Sequence, residues 1–409
     1  MSYDINKKGY IYFLGIGGIS MSGLAMILNH NGCKVAGSDI LQSKTTDSLK
    51  EMGIKVNIGH NAANITRNID LLIYTAAVKE DNPELLEARR LGIDVMDRGR
   101  LLGDIMQKYD KSIAVSGTHG KTTTSSMISD IFLNAGKDPT ISLGGVLPSI
   151  NGAYKAGGSK YFIAEACEYY DSFLNIEPYI AVILNIEEDH LDYFKNIDRI
   201  RKSFRDFAHL VPENGFIIIS ERIDKADYIT EGAKGRVMTF GISGTADFSA
   251  ADPKLNDMGG YSFDILYKGI CLGRISLSIP GMHNVENALA AFAAAYVSEI
   301  SAEDIIDSLH RFSGAKRRFQ KKGSINGALV VDDYAHHPTE IAATLKAAQN
   351  LKFKRVWCLF QPHTYSRTKT FLSEFAEALS HADNIILAPI FAAREKDTGE
   401  ISSADVAKL

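Results

Sequence analysis

The sequence predicts an α/β protein of three units, each with a parallel sheet and crossover helices. From Tyr10 onward, apolar runs typical of buried strands alternate with helical stretches, which favours parallel strands joined by helices. A charged stretch, KYDK, precedes a second series of strands, and the basic segment SGAKRRFQKKG precedes a third. The 409 residues fit two to three domains of roughly 150 residues. We expect domains at residues 1–109, 110–313 and 314–409.

Strand and helix patterns follow one another in each unit. The first has strands YIYFLGIG, KVAGSD, DLLIYTAAV and IDVMDR and a helix through MSGLAMILNHNG, and DNPEL predicts the start of another helix. The second has strands SIAVSGT, KYFIAEAC, YIAVILNI and GFIIIS, the helix FKNIDRIRKSFRDFAHL, and helices HNVENALAAFAAAYVSEI and SAEDIIDSLHRF. Between Phe240 and Pro280, short alternating segments predict an inserted antiparallel region.

The third unit is expected to follow a hinge in SGAKRRFQKKG. Its strands are predicted at ALVVDDYAHH, RVWCLFQP and NIILAPI, and its helices at PTEIAATLKAAQNL and TKTFLSEFAEALSHA, the first begun by a proline. The chain stops at Leu409, inside a predicted helix. We therefore expect this third domain to be incomplete.

Composition excludes several classes of protein. Lys and Arg total 45 and Asp and Glu total 49, for a net charge of −4, which indicates neither a nucleic-acid nor a membrane partner. The 4 cysteines form no CxxC pair, which favours a reducing compartment over a disulfide framework or a zinc knuckle. No leader peptide and no apolar run of about 20 residues is evident, so we expect a cytoplasmic protein.

The strongest chemical signal is SIAVSGTHGKTTTSSMI, a strand, a glycine turn and a helix start. Backbone N–H groups of such a turn and the positive end of the helix hold a polyphosphate, a lysine neutralises its outer charge, and a threonine hydroxyl binds Mg²⁺. The usual spacing places its first glycine at Val115, so we expect Gly117 to open the turn instead. Lys121 and Thr122 then take the lysine and threonine positions.

A second glycine loop, LGIGGISMSG, follows the first strand. Gly15 and Gly17 match a dinucleotide fingerprint, but Ser20 occupies the place of its third glycine; Asp39 ends the next strand about twenty residues later. This pattern is typical of any phosphate-bearing ligand as much as of NAD. An NAD-dependent oxidoreductase therefore remains an alternative, although it leaves the stronger loop at Lys121 unexplained.

Polar side chains also follow several other strands. Glu165 and His190 are expected at the carboxyl edge of the central sheet, where they complete a magnesium site. The other expected site residues are two helical asparagines, two basic residues of the hinge, and the polar ends of two strands predicted to share one sheet edge; these are Asn284, Asn287, Arg317, Arg318, Asp333, His336, His337, His363 and Arg367. Helix capping by Asn284 and a solvated hinge at the arginines are the structural alternatives.

These motifs, taken in order, closely resemble the Mur ligase family over essentially the whole chain. The resemblance rests on LGIGGISMSG, VAGSD, TAAVKEDNPEL, SGTHGKTTT, EACEYYDSFL, NIEEDHLDYF, GMHNVENALAA, GAKRRFQ, DDYAHHPTE and FQPHTYSRT. It implies a Rossmann-like N-terminal domain for a UDP-sugar, a central P-loop ATPase domain, and a Rossmann-like C-terminal domain that delivers an amino acid. It also implies ATP and Mg²⁺ as cofactors, UDP-N-acetylmuramate and L-alanine as substrates, an acyl-phosphate intermediate, and a monomer or weak homodimer.

The resemblance assigns a role to each matching residue. Those implied to act on the reacting groups are Lys121, His190, Arg318, His336 and His337, with His363 and Arg367 on the amino-acid side. Those implied to bind ATP are Gly117, Thr118, His119, Gly120, Lys121, Thr122, Thr123, Asn284, Asn287, Arg317 and Asp333. Thr122, Glu165 and His190 match magnesium positions, and Gly15, Ile16, Gly17, Gly18, Ser20 and Asp39 match the UDP-sugar site.

Two residues depart from the family pattern, and alternative functions remain open. Cys167 stands where relatives carry an acid, and Lys202 is a weak counterpart of a lysine that several relatives carbamylate. The alternative functions are a family member that recycles a tripeptide onto the UDP-sugar and, from other classes, the oxidoreductase or a nucleotide-binding protein without catalysis.

Overall fold

The N-terminal part of this computed structural model, which describes residues 9–75, 78–393 and 395–409, is built around a five-stranded sheet. Its elements are β1 (Tyr10–Leu14), α1 (Ile19–His30), β2 (Lys34–Asp39), α2 (Lys44–Glu51), β3 (Lys55–Ile58), β4 (Leu71–Tyr74), α3 (Pro83–Leu91), β5 (Asp94–Asp97) and α4 (Arg98–Met106). All strand pairs are parallel, in the order β3-β2-β1-β4-β5. The loop after β1 therefore opens at the point where the strand order reverses, which is where ligands bind in such sheets.

Local sequence signals set the boundaries of this first sheet. The side chain of Asn82 caps α3 and Pro83 occupies its first turn, which confirms the helix start predicted from DNPEL. The predicted strand DLLIYTAAV is β4, which ends at Tyr74; Ala76 and Ala77 of that motif lie outside the described residues.

The central part of the chain forms a ten-stranded sheet. Its elements are β6 (Lys111–Ser116), α5 (Lys121–Asn134), β7 (Thr140–Leu147), β8 (Gly152–Lys155), β9 (Tyr161–Glu165), β10 (Ile180–Ile183), α6 (Leu191–Phe194), α7 (Ile197–Ala208), β11 (Phe216–Ser220), α8 (Ala226–Thr230), β12 (Arg236–Gly241), β13 (Phe248–Leu255), β14 (Tyr261–Tyr267), β15 (Ile270–Ser276), α9 (His283–Tyr296) and α10 (Ala302–Arg311). The strand order is β15-β14-β13-β12-β11-β10-β6-β9-β7-β8. Strand β6 thus lies between β10 and β9, so residues after these three strands meet at one edge. The antiparallel pairing of β13, β14 and β15 confirms the predicted inserted region.

Helices pack on the central sheet and join it to the N-terminal sheet. On one face α9 buries a run of alanines, which lets it lie close to α5 beneath the strands. The N-terminal sheet joins the central one through α1, which packs on β7 and β8. There Gly23 lies against the ring of Tyr154, since a Cβ at Gly23 would be 1.9 Å from that ring.

The third part of the chain contains two small sheets. Its elements are β16 (Gln320–Ile325), β17 (Ala328–Asp332), α11 (Pro338–Asn350), β18 (Trp357–Phe360), α12 (Tyr365–Thr370), α13 (Leu372–Leu379), β19 (Asn384–Leu387) and α14 (Ser403–Lys408). Strands β18 and β19 are parallel and pack on α11 and α13. The helix predicted from TKTFLSEFAEALSHA is interrupted at Phe371, where α12 ends and α13 begins.

One strand of this third part pairs differently from the prediction. Strand β17 pairs antiparallel with β16, and neither strand belongs to the β18–β19 sheet. The prediction that the polar ends of ALVVDDYAHH and FQPHTYSRT share one sheet edge is therefore wrong. The reason is local: Asn326 and Gly327, both at positive φ, form a two-residue hairpin turn. Because of this hairpin, the end of the predicted hinge, QKKG, forms part of strand β16.

Across the described residues, no helix combines the length and the apolar character that crossing a bilayer requires.

Candidate nucleotide and substrate site

The loop between β6 and α5 has the geometry of a phosphate-binding turn. Gly117 has φ +140° and Gly120 has φ +84°, conformations that side chains disfavour. A Cβ at Gly117 would also lie 3.0 Å from the Leu184 side chain, and one at Gly120 would lie 2.6 Å from Oδ1 of Asn287. Gly120 provides no side-chain cap for α5, so the N–H groups of its first turn are available to an anion.

Lys121 begins α5 and folds back over this loop. Its ammonium donates hydrogen bonds to the carbonyls of Gly117 and Thr118 and lies 3.0 Å from a carboxylate oxygen of Glu168. Burial by itself lowers the pKa of Lys121, but the charges of Glu168, Cys167 and Glu165, with the hydrogen bond to Glu168, together outweigh burial and raise the pKa above its ordinary value. The lysine is thus a fixed positive charge at the mouth of the loop.

Thr122 and Glu165 bring two oxygen donors together beside the loop. The Thr122 hydroxyl donates to Oε2 of Glu165 at 2.8 Å, and the same oxygen accepts from the N–H of Gly144 at 3.0 Å. Nη2 of Arg318 reaches the Thr122 hydroxyl at 3.3 Å from the third part of the chain. Adjacent hydroxyl and carboxylate oxygens suit a hard cation such as Mg²⁺.

His190 lies in the loop that follows β10, close to the charges of this site. Its backbone has φ +52°, and its backbone N–H donates to Oδ1 of Asp189 at 2.8 Å. Its ring stacks on that of Tyr169, with the centroids 4.2 Å apart. Burial lowers the pKa of His190 below its ordinary value, although the carboxylates of Asp189 and Glu168 oppose this, and the shift favours the neutral ring. A neutral imidazole can bind a metal ion.

His119 is held in the loop from three directions. Asn185 accepts a hydrogen bond from its backbone N–H at 2.8 Å and donates to its carbonyl at 3.1 Å. Its ring lies between two carboxylates, with Nε2 at 3.3 Å from Glu187 and Nδ1 at 3.2 Å from Glu340 of α11. Burial by itself lowers the pKa of His119, but Glu187 and Glu340 outweigh burial and raise it to about 9.

The two asparagines of α9 lie behind the loop and bind each other. Nδ2 of Asn287 donates to Oδ1 of Asn284 at 3.0 Å, and Asn284 donates in turn to the carbonyl of Pro280 at 2.6 Å. The Thr124 hydroxyl donates to Asn287. Both asparagines line the pocket, but Met282 is the N-cap residue of α9, so the capping alternative for Asn284 is wrong.

The structure separates the two hinge arginines. Arg318 lines the pocket and reaches Thr122, whereas Arg317 is exposed and lies over the ring of Tyr334, with its guanidinium carbon 4.6 Å from the centroid. Arg317, which was predicted to contact ATP, therefore does not line the pocket. Asp333 does line it and accepts hydrogen bonds from the N–H groups of Phe319 and Ala335, both at 2.7 Å.

The remaining residues of the third part meet near Asp189 of the central loop. Arg367 donates to Asp189 at 3.0 Å and lies 3.4 Å from Nδ1 of His363, whose ring is 6.1 Å from that of His336. The ring of His337 lies 4.8 Å from that of His119. Although the predicted common sheet edge is absent, helices α11 and α12 and the loops before them bring these side chains together.

Hydrogen-bond acceptors at the end of β2 hold the first glycine loop in place. The N–H groups of Gly15 and Ile16 donate to the carbonyl of Ser38, and that of Gly17 donates to Oδ2 of Asp39 at 2.9 Å. A Cβ at Gly17 would lie 2.9 Å from the same oxygen. Ile16 is fully buried and contributes only backbone; Gly18 is the N-cap residue of α1 and Ser20 lies in its first turn.

Sequence reasoning missed or left unassigned several residues. The sequence patterns assign no role to Asn185, Glu340 or Glu168. The contact with Lys121 is what distinguishes Glu168 from the other acids near this edge. Burial raises the pKa of the Cys167 thiol to about 11, so this cysteine does not replace the acid of other relatives. Lys202 is exposed on α7 and pairs with Asp206, so it does not enter the site.

Comparisons with known proteins find family matches in all three parts of the chain. The chain matches the Mur ligase family catalytic domain over residues 10–110, the Mur ligase middle domain over 115–295 and the Mur ligase glutamate ligase domain over 317–408. It is 50% identical over 409 residues to a UDP-N-acetylmuramate–L-alanine ligase of Caldanaerobacter subterraneus, with 100% of this chain and 89% of that protein aligned. It is 51% identical over 406 residues to a protein of the same name from Agathobacter rectalis, with 99% and 88% aligned.

Solved structures agree with this result. The crystal structure of a UDP-N-acetylmuramate–alanine ligase from Thermotoga maritima superposes with a TM-score of 0.81 at 29% identity, covering 93% of this chain and 85% of that one. A murein peptide ligase from Psychrobacter arcticus superposes with a TM-score of 0.75 at 27% identity, covering 93% and 84%. With its three matched domains and these full-length relatives, the chain belongs to the Mur ligase family.

Proposed function

We propose that this chain is an ATP-dependent ligase that joins L-alanine to the lactyl carboxylate of UDP-N-acetylmuramate, in peptidoglycan precursor synthesis. The observation that carries the proposal is the meeting of two sets of groups at one edge of the central sheet. One set is the phosphate loop with Lys121, Thr122 and Glu165. The other is the cluster of His336, His363 and Arg367 that α11, α12 and the loops before them bring opposite it.

The proposed ATP site uses the loop from Gly117 to Thr123 for the phosphates. Asn284, Asn287, Asp333 and Arg318 line the pocket beyond it. Thr122 and Glu165 suit Mg²⁺ because their oxygens are already adjacent, and we place His190 as a third ligand. Bound Mg²⁺ would reduce the negative charge of the transferred phosphoryl group.

The chain's own residues account for much of the chemistry. A carboxylate that attacks the γ-phosphate of ATP brings two anions together, so a fixed cation is required where they meet. The buried ammonium of Lys121 provides this charge, and the first-turn N–H groups of α5 orient the phosphates. The products of this step are an acyl phosphate and ADP. The amino group of alanine then attacks the acyl carbon, and inorganic phosphate leaves as the amide bond forms.

The third part of the chain supplies the proposed amino-acid side of the site. Arg367, His363 and His336 are the cationic and polar groups available to a carboxylate there. His337 packs between the phosphate loop and α11, and with Arg318 it closes the site against water that would hydrolyse the acyl phosphate. In this proposal residues 1–109, 110–313 and 314–409 are the UDP-sugar, ATP and amino-acid domains.

The proposed UDP-sugar site is the loop after β1. The backbone of Gly15 to Gly18, the hydroxyl of Ser20 and the carboxylate of Asp39 surround the crevice of the first sheet. Because the substrates are a nucleotide sugar, ATP and a free amino acid, we place the protein in the cytoplasm. As implied by the family resemblance, we propose a monomer or weak homodimer. The net charge of −4 gives no reason to expect nucleic acid or membrane as a partner.

The test is release of phosphate from ATP in the presence of UDP-N-acetylmuramate and Mg²⁺. Three parallel reactions contain L-alanine, the tripeptide L-alanyl-γ-D-glutamyl-meso-diaminopimelate, or no amine. We expect release that depends on L-alanine, with UDP-N-acetylmuramoyl-L-alanine detected by mass spectrometry. Release that depends on the tripeptide instead would assign the recycling reaction, and no release in any reaction would contradict the ligase proposal.

A further inference from the structure

Two histidines and two carboxylates meet where α11 packs on the phosphate loop. His119 and Glu187 come from the central part of the chain, and His337 and Glu340 come from the third. One donor atom each of His119, Glu187 and His337 lies within 4.8 Å of the other two. This set, the His119–Glu187–His337 cluster, is separate from the oxygen donors of Thr122 and Glu165.

Two nitrogens of this cluster have no hydrogen-bond partner. Only 5% of the surface of His337 is exposed, and among the described residues its Nε2 is a buried nitrogen without a hydrogen bond. Nε2 of His119 is also buried, facing Glu187 at 3.3 Å without a hydrogen bond of good geometry. A buried polar atom without a partner costs free energy, so a ligand that both nitrogens contact would stabilise this arrangement.

Neighbouring side chains hold two members of the cluster, His119 and Glu187, in place. Oε1 of Glu340 lies 3.2 Å from Nδ1 of His119, so the proton resides on Nδ1 when Nε2 binds a metal. The Thr339 hydroxyl donates to Oε2 of Glu187 at 3.0 Å and fixes that carboxylate. Carboxylates and hydroxyls that hold ligands in this way are a regular feature of metal sites.

We propose that the His119–Glu187–His337 cluster binds a borderline-soft divalent ion of the Zn²⁺ class. Two imidazoles and one carboxylate are a common ligand set for Zn²⁺, and a fourth position stays open to water. Mg²⁺ prefers oxygen ligands and is not expected here. Donors around tetrahedral zinc are about 3.3 Å apart, so the cluster contracts on binding.

Binding carries two local costs and one consequence. The raised pKa of His119 means that its Nε2 must release a proton before it can bind the ion. Nδ1 of His337 accepts a long hydrogen bond of 3.4 Å from the N–H of Thr339, and it gives this up because metal on Nε2 places the proton on Nδ1. The consequence is a link between the central and third parts of the chain. Since His119 and Glu187 line the nucleotide pocket, the bound ion also lies where it would compete with ATP.

The test is titration of the full chain, stripped of metal with a chelator, with Co²⁺ and then Zn²⁺. We expect one equivalent of Co²⁺ with a tetrahedral-type visible absorption band, displaced by Zn²⁺ and retained in excess Mg²⁺. His119→Gln and His337→Gln should each weaken Zn²⁺ binding at least about tenfold, and Glu187→Gln provides a third variant if either fails to fold. Melting temperatures measured without metal report folding.

Two controls identify the site. His310→Gln alters an exposed histidine of α10, and His363→Gln alters the neighbouring histidine pair; both should leave Zn²⁺ binding unchanged. Absence of a tetrahedral-type band, or tight binding that survives all three cluster variants, overturns the proposal. No ATP or sugar substrate is present, so a negative result here leaves the ligase proposal untouched.

Discussion

Nδ1 of His119 lies 3.2 Å from Oε1 of Glu340, a contact that joins the phosphate loop to a helix 221 residues further along the chain. Glu340 also accepts a hydrogen bond from the backbone N–H of His336 at 3.1 Å, at the start of the same helix. One carboxylate therefore orients the loop histidine and the turn that carries His336 and His337. This contact couples the proposed ATP side of the site to its proposed amino-acid side.

This contact makes stability depend on pH. The pKa of His119 is about 9 in the folded chain, above the ordinary value of 6.5. A raised folded-state pKa contributes stability that is fully present below pH 6.5 and is lost as pH rises through about 9. We expect wild type to lose about 2 kcal/mol more than Glu340→Gln between pH 6.5 and 9.5, as measured by denaturant unfolding with EDTA present. Parallel pH profiles for the two proteins would contradict this.

Lys121→Ala should abolish turnover. It removes the buried cation at the phosphate loop, so kcat for phosphate release should fall about 10³-fold or more. It also leaves Glu168 buried without its partner, which should cost about 3 kcal/mol of stability.

The double variant Lys121→Ala/Glu168→Gln separates these two effects. It should recover most of the lost stability and none of the turnover, because the buried charge is removed but the cation is not restored. Lys234→Ala, at an exposed lysine of the central part, is the matched control and should behave like wild type. Normal kcat in Lys121→Ala would disprove the assignment of the loop.

Glu165→Gln should increase the requirement for Mg²⁺. The variant keeps a side-chain oxygen for the Thr122 hydroxyl and the Gly144 N–H but removes the charge. We expect the Mg²⁺ concentration for half-maximal activity to rise about tenfold or more. Glu188→Gln alters an exposed acid near the same sheet edge and should not change it. An unchanged Mg²⁺ titration in Glu165→Gln would remove this residue from the metal site.

Asp39→Ala should weaken binding of the UDP-sugar. The carboxylate holds the N–H of Gly17 at 2.9 Å, so its loss frees the loop after β1. We expect KM for UDP-N-acetylmuramate to rise about tenfold with KM for ATP unchanged, because the ATP loop follows a different strand. The control is Asp47→Ala, in the first turn of α2. Equal increases in both KM values would indicate a general loss of structure instead.

Local patterns were enough to predict both glycine loops and many elements around them. The run from Ser112 to Ile128 specifies a buried strand, two turn glycines and a helix, and all lie close together in the chain. The predicted opening of the turn at Gly117 is confirmed by its φ of +140°. The hairpin at Asn326 and Gly327 carried an equally local signal, and reading it would have prevented the error over β17.

By itself, then, the sequence determined where strands end in polar residues, and thus that Lys121, Thr122 and Glu165 meet at one edge of a parallel sheet. Only the tertiary structure decided that Glu168 pairs with Lys121, that Arg318 and not Arg317 enters the pocket, and that Glu340 contacts His119. The physical reason is range. Backbone conformation is set by neighbours a few residues apart, whereas these contacts join side chains that are 47 to 221 residues apart, so they depend on how distant segments of the chain pack together.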